Sequence, residues 1–119
     1  RGRRDLLHFP FAPGLTGGPL AERQGMAFHV YIVTNRMHGT LYVGHTDDLV
    51  RRAGEHRTGA VPGFARSHGL TRLVWYEDAP SRVEALAVER RLKRWNRAWK
   101  VRLIEERNPE WRDLAADFG

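Results

Sequence analysis

The sequence contains no cysteine among its 119 residues. This absence excludes disulfide frameworks, zinc sites built on thiolates and cysteine nucleophiles. No apolar run reaches the roughly 18 residues that a membrane-spanning helix needs. The start of the chain is rich in arginine but lacks the apolar segment of a secretory signal. We therefore expect a cytoplasmic protein without membrane segments.

Acidic residues are also scarce, with 14 Asp and Glu against 20 Lys and Arg and a formal net charge of +6. A basic balance favours a polyanionic partner, nucleic acid before anionic lipid. The charge alone is equally consistent with a basic protein that has no such partner. Seven basic and no acidic residues stand between Arg90 and Arg102, interleaved with Trp95 and Trp99. That concentration favours nucleic acid.

The chain is long enough for one domain with one core. Residues 1–25 contain three prolines and five glycines and show no periodicity, so we expect a flexible N-terminal arm or extension. Met26 stands immediately before the first predicted strand. We expect the folded domain to comprise residues 26–119. Without the arm the chain keeps 16 basic and 12 acidic residues, so the basic character belongs to the domain.

Two alternating segments predict an antiparallel hairpin. Phe28, Val30 and Ile32 fall on one side of the first strand, and Leu41 and Val43 on one side of the second. The connection, residues 34–39, is short and polar, which suits a hairpin turn. If the apolar sides share a core, Tyr31 and Tyr42 lie together on the opposite face.

Capping residues and breakers divide the rest of the chain. Thr46, Asp47 or Asp48 can cap a helix over residues 49–57, which Gly59 ends. Residues 70–76 predict a third strand that ends before Asp78. The pattern therefore predicts an α+β fold, in the broad α/β class, with a three-stranded antiparallel sheet flanked by helices.

Three further capping signals mark the later helices. Ser81 and Glu84 form a capping box that opens a helix carrying Glu89. Asn96 ends that helix and begins another. Asn108 followed by Pro109 is typical of the start of a last short helical turn.

Five pieces of the chain, in this order, resemble the GIY-YIG nuclease domain. They are the segment His29-Val30-Tyr31, the segment Tyr42-Val43-Gly44, Arg52, His56 and Glu89. The resemblance runs from about Ala27 to about Leu114 and is closest to the small stand-alone members, those similar to the nuclease domain of an excinuclease. His29 replaces the glycine that names the first motif.

The resemblance implies a metal-dependent endonuclease that hydrolyses DNA. Tyr31 or Tyr42 would activate water, and Arg52 would stabilise charge on the phosphate. Glu89 would hold one Mg²⁺ or Mn²⁺ ion. A tyrosine is a poor base at neutral pH unless cations stabilise the phenolate, so His56 is a rival or auxiliary base.

Each of these residues also has an ordinary structural alternative. Glu89 is spaced to pair with Lys93, and Arg52 to pair with Asp48 or Glu55. Both tyrosines suit a plain sheet surface. The residues alone leave these alternatives open.

Contacts with the substrate are expected from His45, Arg94, Asn96 and Arg97. We expect DNA as the partner, with branched, flapped or nicked forms as candidate substrates and a link to repair or recombination. So small a domain has little surface for selecting its own target, which favours a protein partner for targeting. The alternative function is a non-catalytic nucleic-acid-binding module with the same fold.

Overall fold

The computed structural model describes residues 28–118. The predicted arm and the predicted domain start at Met26 lie outside the described residues. The elements, in chain order, are β1 (Phe28–Thr34), β2 (Leu41–Thr46), α1 (Leu49–Thr58), the short helix α2 (Phe64–Ser67), β3 (Arg72–Ala79), α3 (Arg82–Arg94), α4 (Arg97–Arg107) and a 3₁₀ turn (Leu114–Asp117). The three strands form an antiparallel sheet in the order β2-β1-β3. The predicted fold class is therefore confirmed.

The sheet separates two hydrophobic cores. Val30 and Ile32 of β1 join the core beneath α3 and α4, whereas Tyr31 and Val33 join the core beneath α1 and α2. The predicted division of the hairpin faces is confirmed. The face that carries the tyrosines is nevertheless not open, because α1 covers it and Tyr31 is only 1% exposed. Each face thus buries apolar area, the main favourable term in folding.

The predicted caps set the helix starts. The side chain of Asp48 accepts a hydrogen bond from the Arg51 amide, and that of Ser81 accepts one from the Glu84 amide. Gly59 ends α1 in the left-handed conformation, at φ 77°, which glycine adopts without strain. In the part of the chain that the structure describes, no helix has the length and apolarity to cross a membrane.

Strand β3 differs from the prediction at both ends. It begins at Arg72 and continues to Ala79, so the prediction that it covers residues 70–76 and stops before Asp78 was wrong. Two acidic residues can end a buried strand only if their charges have partners. Here Asp78 meets His29 across the sheet, Nε2 to Oδ1 at 2.8 Å, and Glu77 meets Arg107 at 3.0 Å.

A bulge interrupts β3 opposite β1. Ile32 pairs with Trp75 and Val33 pairs with Leu73, which leaves Val74 as the extra residue. A bulge leaves backbone groups without a ladder partner. The Asn108 side chain supplies one, donating from Nδ2 to the Val74 carbonyl at 3.1 Å.

Asn108 therefore has a different role from the predicted one. It follows the last turn of α4, where its amide donates to the Ile104 carbonyl. The final turn begins later, after Asp113, whose side chain accepts from the Ala115 amide. The prediction that Asn108 opens a last helical turn was wrong. Asn108 lies at the C-terminal end of α4 instead, and its side chain donates to the Val74 carbonyl of β3.

Candidate active site

Helix α1 brings a histidine and an arginine onto Tyr31. Leu49, Ala53 and His56 face inward, so the helix packs against the sheet along this side. The Tyr31 hydroxyl lies 3.0 Å from Nε2 of His56. Arg52, one turn before His56, places its positive charge near the same hydroxyl, where it opposes the rise that burial causes in the pKa of Tyr31. A protonated phenol can donate to Nε2 of a neutral imidazole, which has a lone pair there.

The protonation of this cluster follows from its burial. Burial raises the pKa of Tyr31 to about 12, and the neighbouring Arg52 offsets only part of that effect. Burial and then the positive charge of Arg52 lower the pKa of His56 to about 4. At neutral pH Tyr31 is therefore protonated and His56 is neutral. Of the two, only His56 has an unprotonated ring nitrogen at neutral pH, and its lowered pKa makes it a weak base.

Gly44 makes room for both tyrosines. It pairs with Tyr31 across β1 and β2. A Cβ atom at this position would lie 2.7 Å from the Tyr31 hydroxyl oxygen and 3.1 Å from Cε2 of Tyr42. The ring of Tyr42 is 5.9 Å from that of His56. A glycine is thus required here for the two phenols to converge on one histidine.

Glu89 lies on the other face of the sheet, where α3 packs against β2. Its Oε1 is 2.5 Å from Nδ1 of His45, and its Oε2 is 2.6 Å from Nζ of Lys93. Burial raises the pKa of Glu89, but Lys93 and His45 together lower it more, so that the net shift is downward. Glu89 is consequently ionised at neutral pH, and the predicted pairing with Lys93 is present.

The two groups of residues meet at the edge of the sheet. Strand β2 is an edge strand, with Tyr42 facing α1 and His45 facing α3. Lys93 extends from α3 to within 5.9 Å of the Tyr42 ring centroid. Tyr42 in turn lies beside His56, with 5.9 Å between their ring centroids. Lys93 and Tyr42 therefore connect Glu89 to the tyrosine cluster, and we treat the two groups as one candidate site around β2.

A divalent ion would depend on Glu89. Between residues 28 and 118 there is no group of three or more His, Asp or Glu side chains that could hold a metal. Magnesium keeps several waters and often needs only one or two carboxylates. The ionised Glu89 fits this pattern if Lys93, half of whose side chain is exposed, moves away from Oε2.

The remaining predicted substrate contacts lie where α3 meets α4. Arg94 is exposed at the end of α3. Asn96 caps α4 by accepting from the Trp99 amide at 2.9 Å. Arg97 donates to the His38 carbonyl in the β1–β2 turn at 2.7 Å. These residues lie beside the hairpin turn, and their contact with DNA stays a prediction.

Two contacts of the site had no signal in the sequence. Arg82 donates from Nη1 to Nε2 of His45 at 3.3 Å, and His29 pairs with Asp78. Both pairs join residues far apart in the chain. Only the strand register and the docking of α3 bring them together.

These features define a small α+β domain with a Tyr–His–Arg cluster and a buried glutamate, the arrangement expected of a GIY-YIG domain. The family model of the GIY-YIG catalytic domain matches residues 27–102. The chain therefore belongs to the GIY-YIG nuclease family, and the resemblance inferred from the sequence is confirmed.

Similar proteins include small proteins named UPF0213. One from Aeromonas salmonicida is 34% identical over 95 residues, covering 80% of this chain and 68% of the relative. One from Haloquadratum walsbyi is 32% identical over 79 residues, covering 66% of this chain and 89% of the relative. The solution structure of the UPF0213 protein BH0048 from Bacillus halodurans is 30% identical and aligns with a TM-score of 0.46, over 73% of this chain and 92% of that one.

Proposed function

We propose that the protein is a metal-dependent endonuclease that hydrolyses phosphodiester bonds in DNA. The observation that carries the proposal is the Tyr31–His56 hydrogen bond, with the positive charge of Arg52 near the same phenol. It combines a proton acceptor, a hydroxyl and a guanidinium within one cluster. Phosphodiester hydrolysis requires acceptance of the water proton and stabilisation of charge on the phosphate.

The raised pKa of Tyr31 disfavours a free phenolate, so we propose a relay instead. With a pKa raised to about 12, Tyr31 does not hold a negative charge at neutral pH. The hydroxyl can instead accept the proton of the attacking water while it passes its own proton to Nε2 of His56. The water oxygen then bonds to phosphorus as the bond to the leaving oxygen breaks, and the leaving oxygen departs with the bonding pair and takes a proton from solvent. The relay avoids a buried phenolate as a separate intermediate.

Arg52 and Glu89 have complementary tasks in this proposal. Arg52 is partly exposed, and its Nε already binds Glu55 at 2.9 Å, which fixes the plane of the guanidinium. Its remaining donors can face phosphate oxygens. Glu89 would hold one Mg²⁺ or Mn²⁺ ion, which when bound neutralises charge on the phosphate. Tyr42 lines the same site and would orient the phosphate or the water.

The substrate is proposed from charge. Exposed basic residues follow α3 and enter α4, namely Arg90, Arg91, Lys93, Arg94 and Arg97. Such a surface suits a phosphate backbone and carries no base specificity of its own. Branched, flapped or nicked DNA, as arises in repair or recombination, is the proposed target. A protein partner would then supply targeting.

A cleavage assay tests the proposal. Supercoiled, nicked, flapped and branched DNA are incubated with the protein in Mg²⁺, in Mn²⁺ and in a chelator. We expect cleavage with metal only. Glu89→Gln should lose cleavage by orders of magnitude and keep DNA binding, whereas Glu106→Gln, an exposed change in α4, should behave as the parent. Equal cleavage by Glu89→Gln, or by the parent in chelator, contradicts the proposal.

The alternative function, a binding module without catalysis, has one observation in its favour. Lys93 occupies Oε2 of Glu89, the oxygen that a metal would need. If the parent binds DNA but cleaves none of the four forms in either metal, the binding module is supported instead.

A further inference from the structure

Both ring nitrogens of His45 have partners. Nδ1 lies 2.5 Å from Oε1 of Glu89, and Nε2 lies 3.3 Å from Nη1 of Arg82. A guanidinium has no acceptor atom, so Nε2 must accept from Arg82. Nδ1 therefore carries the ring proton and donates it to Glu89. A hydrogen bond on one nitrogen thus sets the tautomer that the other nitrogen presents.

Arg82 is held in place although it lies at the surface. Its guanidinium carbon is 4.8 Å from the centroid of the Phe28 ring, and its Nη2 is 3.7 Å from Asp47. Arg82 is the first residue of α3 and Glu89 lies two turns later, so one helix face presents both to β2. The docking of α3 on β2 brings Arg82, His45 and Glu89 into one chain of hydrogen bonds.

The two oxygens of Glu89 are held differently. Oε1 meets the side chain of His45, which comes from a strand and is mostly buried. Oε2 meets Lys93, whose side chain is half exposed. The hydrogen bond from a strand side chain to Oε1 fixes the orientation of the carboxylate. The lysine is the contact that a cation can replace.

We propose that His45 is a positioning residue for Glu89: its Nδ1–H tautomer, fixed by Arg82, orients the carboxylate so that Oε2 would be the oxygen available to a divalent ion in place of Lys93. This inference rests on the proposed function, since it concerns the proposed ligand. It differs from the expectation that His45 touches phosphate, because both nitrogens are already used. Hydrogen-bond partners of this kind typically change metal affinity about 10–100-fold when they are removed.

Two amide substitutions separate the nitrogens of His45. The amide of asparagine can take the place of Nδ1 and donate to Glu89, whereas that of glutamine takes the place of Nε2. We expect His45→Asn to bind Mn²⁺ within about threefold of the parent and His45→Gln to bind it at least about tenfold more weakly. Isothermal titration calorimetry with Mn²⁺, in the absence of DNA, measures these affinities directly. Thermal melts establish that both variants fold.

The tautomer is visible by NMR. The side-chain ¹⁵N shifts of His45 at neutral pH should report a proton on Nδ1. Arg82→Ala should move the ring toward the Nε2–H form and weaken Mn²⁺ binding, whereas Val83→Ala, an exposed change in the same helix, should do neither.

Three outcomes would overturn the inference. The first is an Nε2–H tautomer of His45 in the parent, and the second is a His45→Gln variant that binds Mn²⁺ as tightly as His45→Asn or more tightly. The third is a parent chain that binds no Mn²⁺. If His45 instead contacts phosphate, both His45 variants should bind DNA more weakly in chelator. That result would also contradict the inference. If Mn²⁺ binding follows the expected order but no DNA is cleaved, only the proposed function fails.

Discussion

The hydroxyl of Tyr31 lies 3.0 Å from Nε2 of His56, although 25 residues separate the two in the chain. Both side chains are almost fully buried, so this hydrogen bond joins the central strand to α1 inside a hydrophobic core. It satisfies two polar groups that would be costly to bury alone. The contact that the proposed chemistry needs is thus also part of what holds the helix in place.

The glycine opposite Tyr31 gives the first prediction. Gly44→Ala places a Cβ 2.7 Å from the Tyr31 hydroxyl and 2.8 Å from Cζ, so the phenol must move. We expect a loss of roughly 1–3 kcal/mol in the free energy of unfolding and a large loss of cleavage. Denaturant melts measure the first effect.

Gly54→Ala is the matched control. A Cβ at position 54 meets nothing within 4 Å, and alanine favours a helix interior over glycine by about 1 kcal/mol. The control should be neutral or stabilising. Equal behaviour of the two alanine variants would show that the packing around Gly44 is looser than described.

The pH dependence of stability gives the second prediction. The pKa of His56 falls to about 4 in the fold, by burial and then by the charge of Arg52. Between pH 6.5 and 4 the unfolded chain therefore binds a proton that the folded chain does not. Stability should fall by at most roughly 3 kcal/mol as pH falls through this window. Above pH 6.5 this histidine should contribute no pH dependence.

His56→Gln isolates the effect, because glutamine keeps a polar group near Nε2 and does not titrate. Urea melts at several pH values measure the free energy of unfolding. Between pH 6.5 and 4 this free energy should fall less for the variant than for the parent, by at most roughly 3 kcal/mol. Tyr31, Arg52 and Glu55 surround the ring in both proteins, so the difference reports His56. Parallel curves would place the pKa of His56 near its ordinary value.

The basic surface gives the third prediction. Changing Arg94 and Arg97 together to Gln should weaken binding to every DNA sequence and reduce the slope of log K against log salt by about 2. Fluorescence anisotropy at four salt concentrations measures the slope. Arg51 and Arg57 are the matched pair, since both already face carboxylates. An equal change in slope for the two pairs would argue against a DNA contact confined to this surface.

The bulge in β3 gives the fourth prediction. Asn108→Ala removes the donor to the Val74 carbonyl and the acceptor for the Arg112 amide. Leaving buried polar groups unsatisfied costs about 1–3 kcal/mol, and thermal melts should show that loss. Glu110→Ala, an exposed neighbour, should leave the melting temperature within error. A stable Asn108→Ala would mean that water replaces the amide.

Local chemistry made the elements predictable. The residues that cap α1, α3 and α4 were identified from the sequence because a cap needs only a side chain and an amide a few residues away. Alternation likewise assigned Val30 and Tyr31 to opposite faces. It could not tell that α1 covers the tyrosine face, because that depends on a helix packing from further along the chain.

Contacts across the sheet were the part that could not be predicted. Glu89 was identified through a resemblance, and Lys93 through helical spacing. His45 reaches Glu89 across 44 residues, which no local pattern encodes. Asp78 is a similar case. Aspartate in a sequence favours a turn, but here it lies within β3, where its carboxylate meets His29 on the neighbouring strand.

The division of the site between two segments has a consequence for the order in which the chain is made. Tyr31, Tyr42, Arg52 and His56 all belong to residues 31–56, whereas Glu89 lies on a helix that leaves the ribosome later. β1 must still receive β3 on its free side, and α3 must dock on β2, before the carboxylate reaches its place. A nascent chain that ends before α3 would carry the tyrosines and the arginine without the glutamate. Under the proposed function, the nuclease could become active only after its last large helices have folded.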